Sequence, residues 1–233
     1  MLRFPLFGIP VGVHATFLFI ALLGATAYRG VDIAIWTAAA FVSILLHEMG
    51  HALSARRFGA RNINVMLYGL GGVTTYNSVK PISNGKSFLI SAAGSATGIL
   101  AGGAVLLLGR NGGFVGASHE VGVFVNSFVF TALVWGVLNW IPIVPLDGGH
   151  MVKHLAGMVN EEKAPLISQI VTWVTVAVVV PLAIVNGFEF AAIIVVVFAL
   201  SGLREYRSQT KLKRQAPPPD VPAERRDPPD FPI

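Results

Sequence analysis

His47-Glu48-Met49-Gly50-His51 sets two imidazoles four residues apart with a carboxylate beside the first. On a helix that spacing puts both rings on one face, one turn apart, where they can chelate zinc. Zinc lowers the pKa of a bound water toward neutrality, so Glu48 can take the proton as general base and return it to a leaving amine. The five-residue pattern is short and has many chance matches in soluble proteins. Here it interrupts an apolar run, and ionisable groups inside a lipid span are costly unless they serve a site. Metal binding therefore outweighs a merely buried polar cluster.

A catalytic zinc needs a third protein ligand and an open position. Asp147, His150, His154, His119 and His14 are the candidates. Asp147 follows Asn139-Trp140-Ile141-Pro142-Ile143-Val144-Pro145-Leu146, where two prolines break an apolar run and Gly148-Gly149 free the backbone after the carboxylate. It has no basic neighbour in sequence, so a metal is its natural counter-charge. His150 and His154 stand four apart and can form a second pair, but without an adjacent acid a titrating or hydrogen-bonding role fits them at least as well. His14, near a span entrance, and His119, in a loop on the opposite side, read as structural.

The rest of the chain must hold these groups in a membrane. Of 233 residues 54% are hydrophobic and 12% charged, with a mean hydropathy of +0.67; a soluble domain carries about twice that charged fraction. The absence of cysteine removes disulfides, thiolate sites, iron–sulfur clusters and cysteine nucleophiles. The net charge of +5 does not read as nucleic-acid binding, because the basic residues sit in loops and tail without interleaved aromatics. Uncharged stretches of spanning length cover residues 11–28, 33–55, 87–109, 121–146 and 164–188, with a shorter sixth at 190–203. None alternates with period two, so helices rather than a barrel are expected. The fold class is an all-α polytopic membrane protein of about six transmembrane helices.

Arg56, Arg57, Arg61, Lys80 and Lys86, with no acid among them, mark the segment after the second span as cytoplasmic. With six spans both termini share that side of the cell membrane. The alternative that the first run is a signal peptide, with Ala25-Thr26-Ala27 as cleavage site, leaves an odd number of spans. Residues 62–78 alternate and then turn at Gly69-Leu70-Gly71-Gly72, reading as a short hairpin; a glycine-rich interfacial connector is the other reading. Gly94, Gly98 and Gly102 recur every four residues as a helix-packing signal. Residues 1–203 form the expected membrane domain, and 204–233, charged and proline-rich, a disordered tail.

His47-Glu48-Met49-Gly50-His51 in one span, with Asn139-x-x-Pro142 and then Asp147-Gly148-Gly149 in a later one, resembles the paired signature of the site-2 protease family of intramembrane zinc metalloproteases, peptidase family M50. The resemblance covers roughly residues 9–203, and the span order is similar to that of its compact six-span subgroup. It implies His47, His51 and Asp147 as ligands of one zinc and Glu48 as base. It also implies that Asn139 and Pro142 help to hold the substrate, and that the segment around Gly71 and Gly72 is a membrane-associated strand loop beside the site. Where the family often has Ala-Gly-Pro followed by Asn, this chain reads Ala93-Gly94-Ser95 and then Gly98. No loop has room for a PDZ domain and the tail is too short for CBS domains, so a separate regulatory protein is expected.

The expected reaction is endoproteolysis of a single-span membrane protein near its cytoplasmic end, a membrane-tethered regulator or a signal-peptide remnant, once its helix has unwound. An edge strand containing Gly71, Gly72 and Val73 can hold the opened peptide by β-addition. The competing class is a metal or proton transporter, which predicts internal repeats and polar groups reaching both faces. The chain shows neither. A catalytically dead relative is disfavoured because every expected catalytic residue is present.

Overall fold

The computed structural model describes residues 1–69, 71–114 and 116–215. The chain opens with a hairpin of β1 (Leu2–Leu6) and β2 (Ile9–Val13), followed by a 3-10 turn (Ala15–Leu18) and a short helix α1 (Phe19–Gly24). The long helix α2 (Val31–Arg57) leads into β3 (Arg61–Tyr68) and β4 (Gly71–Asn77). Then come α3 (Asn84–Arg110), α4 (His119–Leu138), α5 (Asp147–Val159), α6 (Ala164–Val185) and α7 (Glu189–Gln215).

Four of these helices, α2, α3, α4 and α6, are long and apolar enough to cross a membrane, which makes this a multi-pass protein. The expected helix over 11–28 is not formed. Its first residues are β2, and the apolar helical stretch Ala15–Gly24 reaches only ~15 Å at 1.5 Å per residue, half the hydrocarbon thickness. Window hydropathy cannot see why: Val11, Gly12 and Val13 pair in parallel with Val65, Met66 and Leu67 of β3, so a distant strand satisfies their backbone. Beyond the strand this segment packs along α2, where the Trp36 indole donates to Ile20 O at 3.1 Å and stacks on Tyr28.

Two further boundaries differ. Helix α4 stops at Leu138, not 146, because the segment holding Pro142 and Pro145 cannot continue it. The ordered chain does not end at 203, since α7 runs on to Gln215. Arg204, Glu205, Arg207, Lys211 and Lys213 are charged but form helix well, so charge ends the apolar stretch without ending the helix. Of the expected disordered tail, residues 216–233 lie outside the described residues.

The expected hairpin is present: β3 and β4 pair antiparallel, with Met66 opposite Val73 and Tyr68 opposite Gly71. It belongs to a larger unit, a four-stranded sheet of order β1-β2-β3-β4 with β4 at one edge. Ile63, Val65 and Leu67 alternate inward, joining Ile9, Val11, Ile44, Ala52, Ala55 and Ile90 in one buried cluster between sheet and helices. That packing presses the sheet onto α2 at the level of Glu48. The outer ends of α2 and α4 are tied where His119 Nε2 lies 3.1 Å from Asp32.

Candidate metal centre

The i, i+4 geometry of α2 stacks His47 and His51 on its inner face, where both are buried and their Nε2 atoms lie 3.2 Å apart. Asp147, the first residue of α5, meets them from the other side: Oδ2 is 3.3 Å from His47 Nε2 and Oδ1 is 3.2 Å from His51 Nε2. One potential ligand atom from each of the three falls within 4.8 Å of the others. Four donors arranged tetrahedrally at ~2.0–2.2 Å from zinc stand ~3.3–3.6 Å from one another, so the spacing fits one such ion. Proton inventory gives the same answer. His51 Nδ1 is 2.7 Å from Ile90 O, and a carbonyl only accepts, so Nδ1 carries a proton and, in the neutral ring, Nε2 turns a lone pair toward the carboxylate. Acceptors facing acceptors in a buried site call for a cation.

The profile of peptidase family M50 matches residues 110–182, a stretch that contains Asn139 and Asp147. The chain is 27% identical over 153 residues to a zinc metalloprotease of Methanocaldococcus jannaschii, covering 64% of this chain and 43% of the relative. It is 30% identical over 171 residues to putative zinc metalloprotease Rip2 of Mycolicibacterium smegmatis, covering 60% and 64%. Putative zinc metalloprotease Rip3 of Mycobacterium tuberculosis is 33% identical over 119 residues, 48% of this chain and 28% of the relative. Among solved structures, a site-2 protease from Methanocaldococcus jannaschii superposes with a TM-score of 0.62 at 20% identity over 86% of this chain and 94% of that one. The chain is similar to peptidase family M50 over the matched stretch and to these zinc metalloproteases over longer ones. It spans less than two thirds of the length of each of these curated relatives.

The three groups open onto a cavity of about 500 Å³. Glu48, Asn139, Gly71, Gly72 and Val73 line it, whereas Pro142 sits in the α4–α5 turn outside that lining. His150 and His154 line it too, on the Asp147 face of α5, but do not join the three-residue cluster. Burial, with His150 and Lys153 nearby, pushes His154 down to about 4, which keeps it neutral near pH 7. His14 caps the 3-10 turn by accepting from Thr16 N at 3.2 Å. It and His119 are remote from the centre.

Several contributors were not singled out in the sequence. Thr74 donates its hydroxyl to Glu48 Oε2 at 2.7 Å and lies 3.1 Å from Glu48 O. The alternation of β4 placed Thr74 with Gly72 and Tyr76, so period two carried that signal. A Cβ at Gly72 would collide with the Glu48 side chain, and one at Gly94 with the His51 ring. Gly94, read as a packing residue, therefore also makes room for an imidazole. The turn bearing Asp147 is braced from α6: Thr172 Oγ1 accepts from Val144 N at 3.1 Å and Ser168 donates to Gly149 O at 2.8 Å. Ser168, Gln169 and Thr172 share one buried face of an apolar helix, a pattern legible in advance as a polar stripe.

Proposed function

We propose that the chain is a zinc endopeptidase that hydrolyses a peptide bond of a single-span membrane protein near the cytoplasmic side, with His47, His51 and Asp147 holding the metal and Glu48 serving as general base. The observation that carries this reading is the convergence of both Nε2 atoms and the Asp147 carboxylate beside Glu48 in one cavity. When bound, zinc supplies the Lewis acidity that brings deprotonation of water into the neutral range. Glu48 takes that proton and passes it to the leaving amine as the C–N bond breaks. Burial of the α2 stretch around it keeps bulk water from competing, and Thr74 holds the carboxylate against β4.

Helical substrates hide their carbonyls in internal hydrogen bonds, so the scissile segment must be extended first. The edge strand β4, whose Gly71, Gly72 and Val73 border the cavity, is suited to capture it by β-addition, with Asn139 on the facing wall. A membrane-tethered regulator or a signal-peptide remnant has the required single span, and a separate protein is proposed to regulate access. The transport reading is not favoured: among the described residues one group of three or more His, Cys, Asp or Glu is spaced for a metal, and it opens into the same cavity as the proposed base.

The test is co-expression with tagged single-span proteins in wild-type and Glu48→Gln cells. Fragments released only by the wild type support the reading, and identical patterns in both overturn it. Orientation is tested separately. Arg56 and Arg57 at the end of α2, Arg61 and Lys80 in the connection, and Lys86 at the start of α3 make five basic residues with no acid among them, so cysteines at Arg57 and Lys211 should be shielded from an impermeant thiol reagent in intact cells while one at Asn111 reacts. Labelling of position 57 from outside would invert the assignment. The hydroxyl of Thr74 acts on Glu48 alone, so Thr74→Val should lower turnover by about 10-fold, the worth of a hydrogen bond to a charged group, with zinc content unchanged and Thr74→Ser near wild type. Kinetics with metal analysis would check it.

A further inference from the structure

Ser95 is fully buried on α3, next to Gly94, and its hydroxyl donates to Asp147 Oδ2 at 2.8 Å. Serine and threonine in helices often return their proton to the carbonyl four residues back. Thr97 does so, donating to Ala93 O at 2.8 Å. Ser95 instead turns across the α3–α5 contact. The same Oδ2 lies 3.3 Å from His47 Nε2, and Oδ1 faces His51 Nε2, so one bond from Ser95 fixes the rotation of the carboxylate between the two imidazoles. The backbone here packs closely on α4: a Cβ at Gly136 would stand 3.2 Å from the Ser95 carbonyl oxygen. This is the position where the resemblance to the family leads one to expect proline, which has no donor.

We propose that Ser95 is a positioning residue for the metal centre, acting through Asp147 to set the orientation of its carboxylate. The proposal rests on the zinc-site reading above. Outer partners of this kind typically contribute about 10- to 100-fold in metal affinity, so Ser95→Ala should weaken zinc binding by that factor in full-length protein, measured by competition with a chelator of known affinity. The ligand-field bands of the cobalt-substituted protein should shift as well. Ser95→Thr and Ser95→Val separate hydroxyl from shape, because both add the same bulk and one keeps the donor; Thr should bind zinc more tightly than Val and restore the wild-type cobalt spectrum. Equal affinities and spectra for Thr and Val, or a Ser95→Ala protein indistinguishable from wild type, would overturn the role. If either larger residue fails to assemble, Ser95→Ala decides, since it only deletes an atom. Failure of the underlying reading looks different: wild type would bind no zinc, or Asp147→Ala would bind it as tightly as wild type, and the role of Ser95 would fall with it.

Discussion

Glu48→Gln should retain one zinc per chain while peptide cleavage falls by about 10²- to 10⁴-fold, the range general-base catalysis contributes. The amide keeps the length and planarity of the carboxylate, and Thr74 can still donate to the side-chain oxygen it contacts at 2.7 Å, so the local fold has no reason to change. What disappears is the ability to accept a proton from water. None of the three clustered donors is altered, because His47, His51 and Asp147 form the metal-spaced group without Glu48. Metal analysis of purified protein, paired with turnover of a defined substrate, checks both halves. Cleavage at a rate near wild type would remove Glu48 from the mechanism. Loss of zinc alongside activity would make it a structural support of the centre.

The centre was more legible in the sequence than the fold around it, for a physical reason. Two histidines at i, i+4 are adjacent on any helix, so His47 and His51 needed no tertiary information. Asp147 was flagged by its place behind a double-proline break, a local signal. The first apolar run was misread because its conformation is decided by a partner fifty residues away: Val11 lies beside Val65, and hydropathy is the same for a strand buried in a sheet as for a helix in lipid. The end of α7 was misplaced because composition records polarity, not helix propensity. Ser95 was invisible as a site residue, since a lone hydroxyl on a helix gains meaning only once α5 arrives within hydrogen-bonding distance, and for Thr74 the alternation of β4 gave its face but not its partner Glu48. Gly94 shows the same limit from the other side. Its spacing announced close helix packing, and only the structure identifies the imidazole of His51 as what is packed.

Removing a donor should be the most damaging change to the centre. Asp147→Ala is expected to weaken zinc binding on the order of 10³-fold, because the binding free energy of a structural or catalytic zinc, about 10–16 kcal/mol, is divided among very few ligands. His47→Ala should do the same and abolish cleavage. The informative contrast lies along α5, where Asp147, His150 and His154 all face the cavity. His150→Ala and His154→Ala should leave zinc stoichiometry and affinity near wild type, since neither belongs to the cluster whose donors fall within 4.8 Å of one another. Turnover in those two variants then reports whether they contact the substrate, which their position beside Glu48 and Asn139 in the cavity wall allows. Equilibrium zinc titration against a chelator ranks the four. An Asp147→Ala protein that binds like wild type while His150→Ala loses the metal would transfer the third ligand to His150, and with it the bracing by Thr172 and Ser168 would serve a turn that merely carries the helix rather than the ligand.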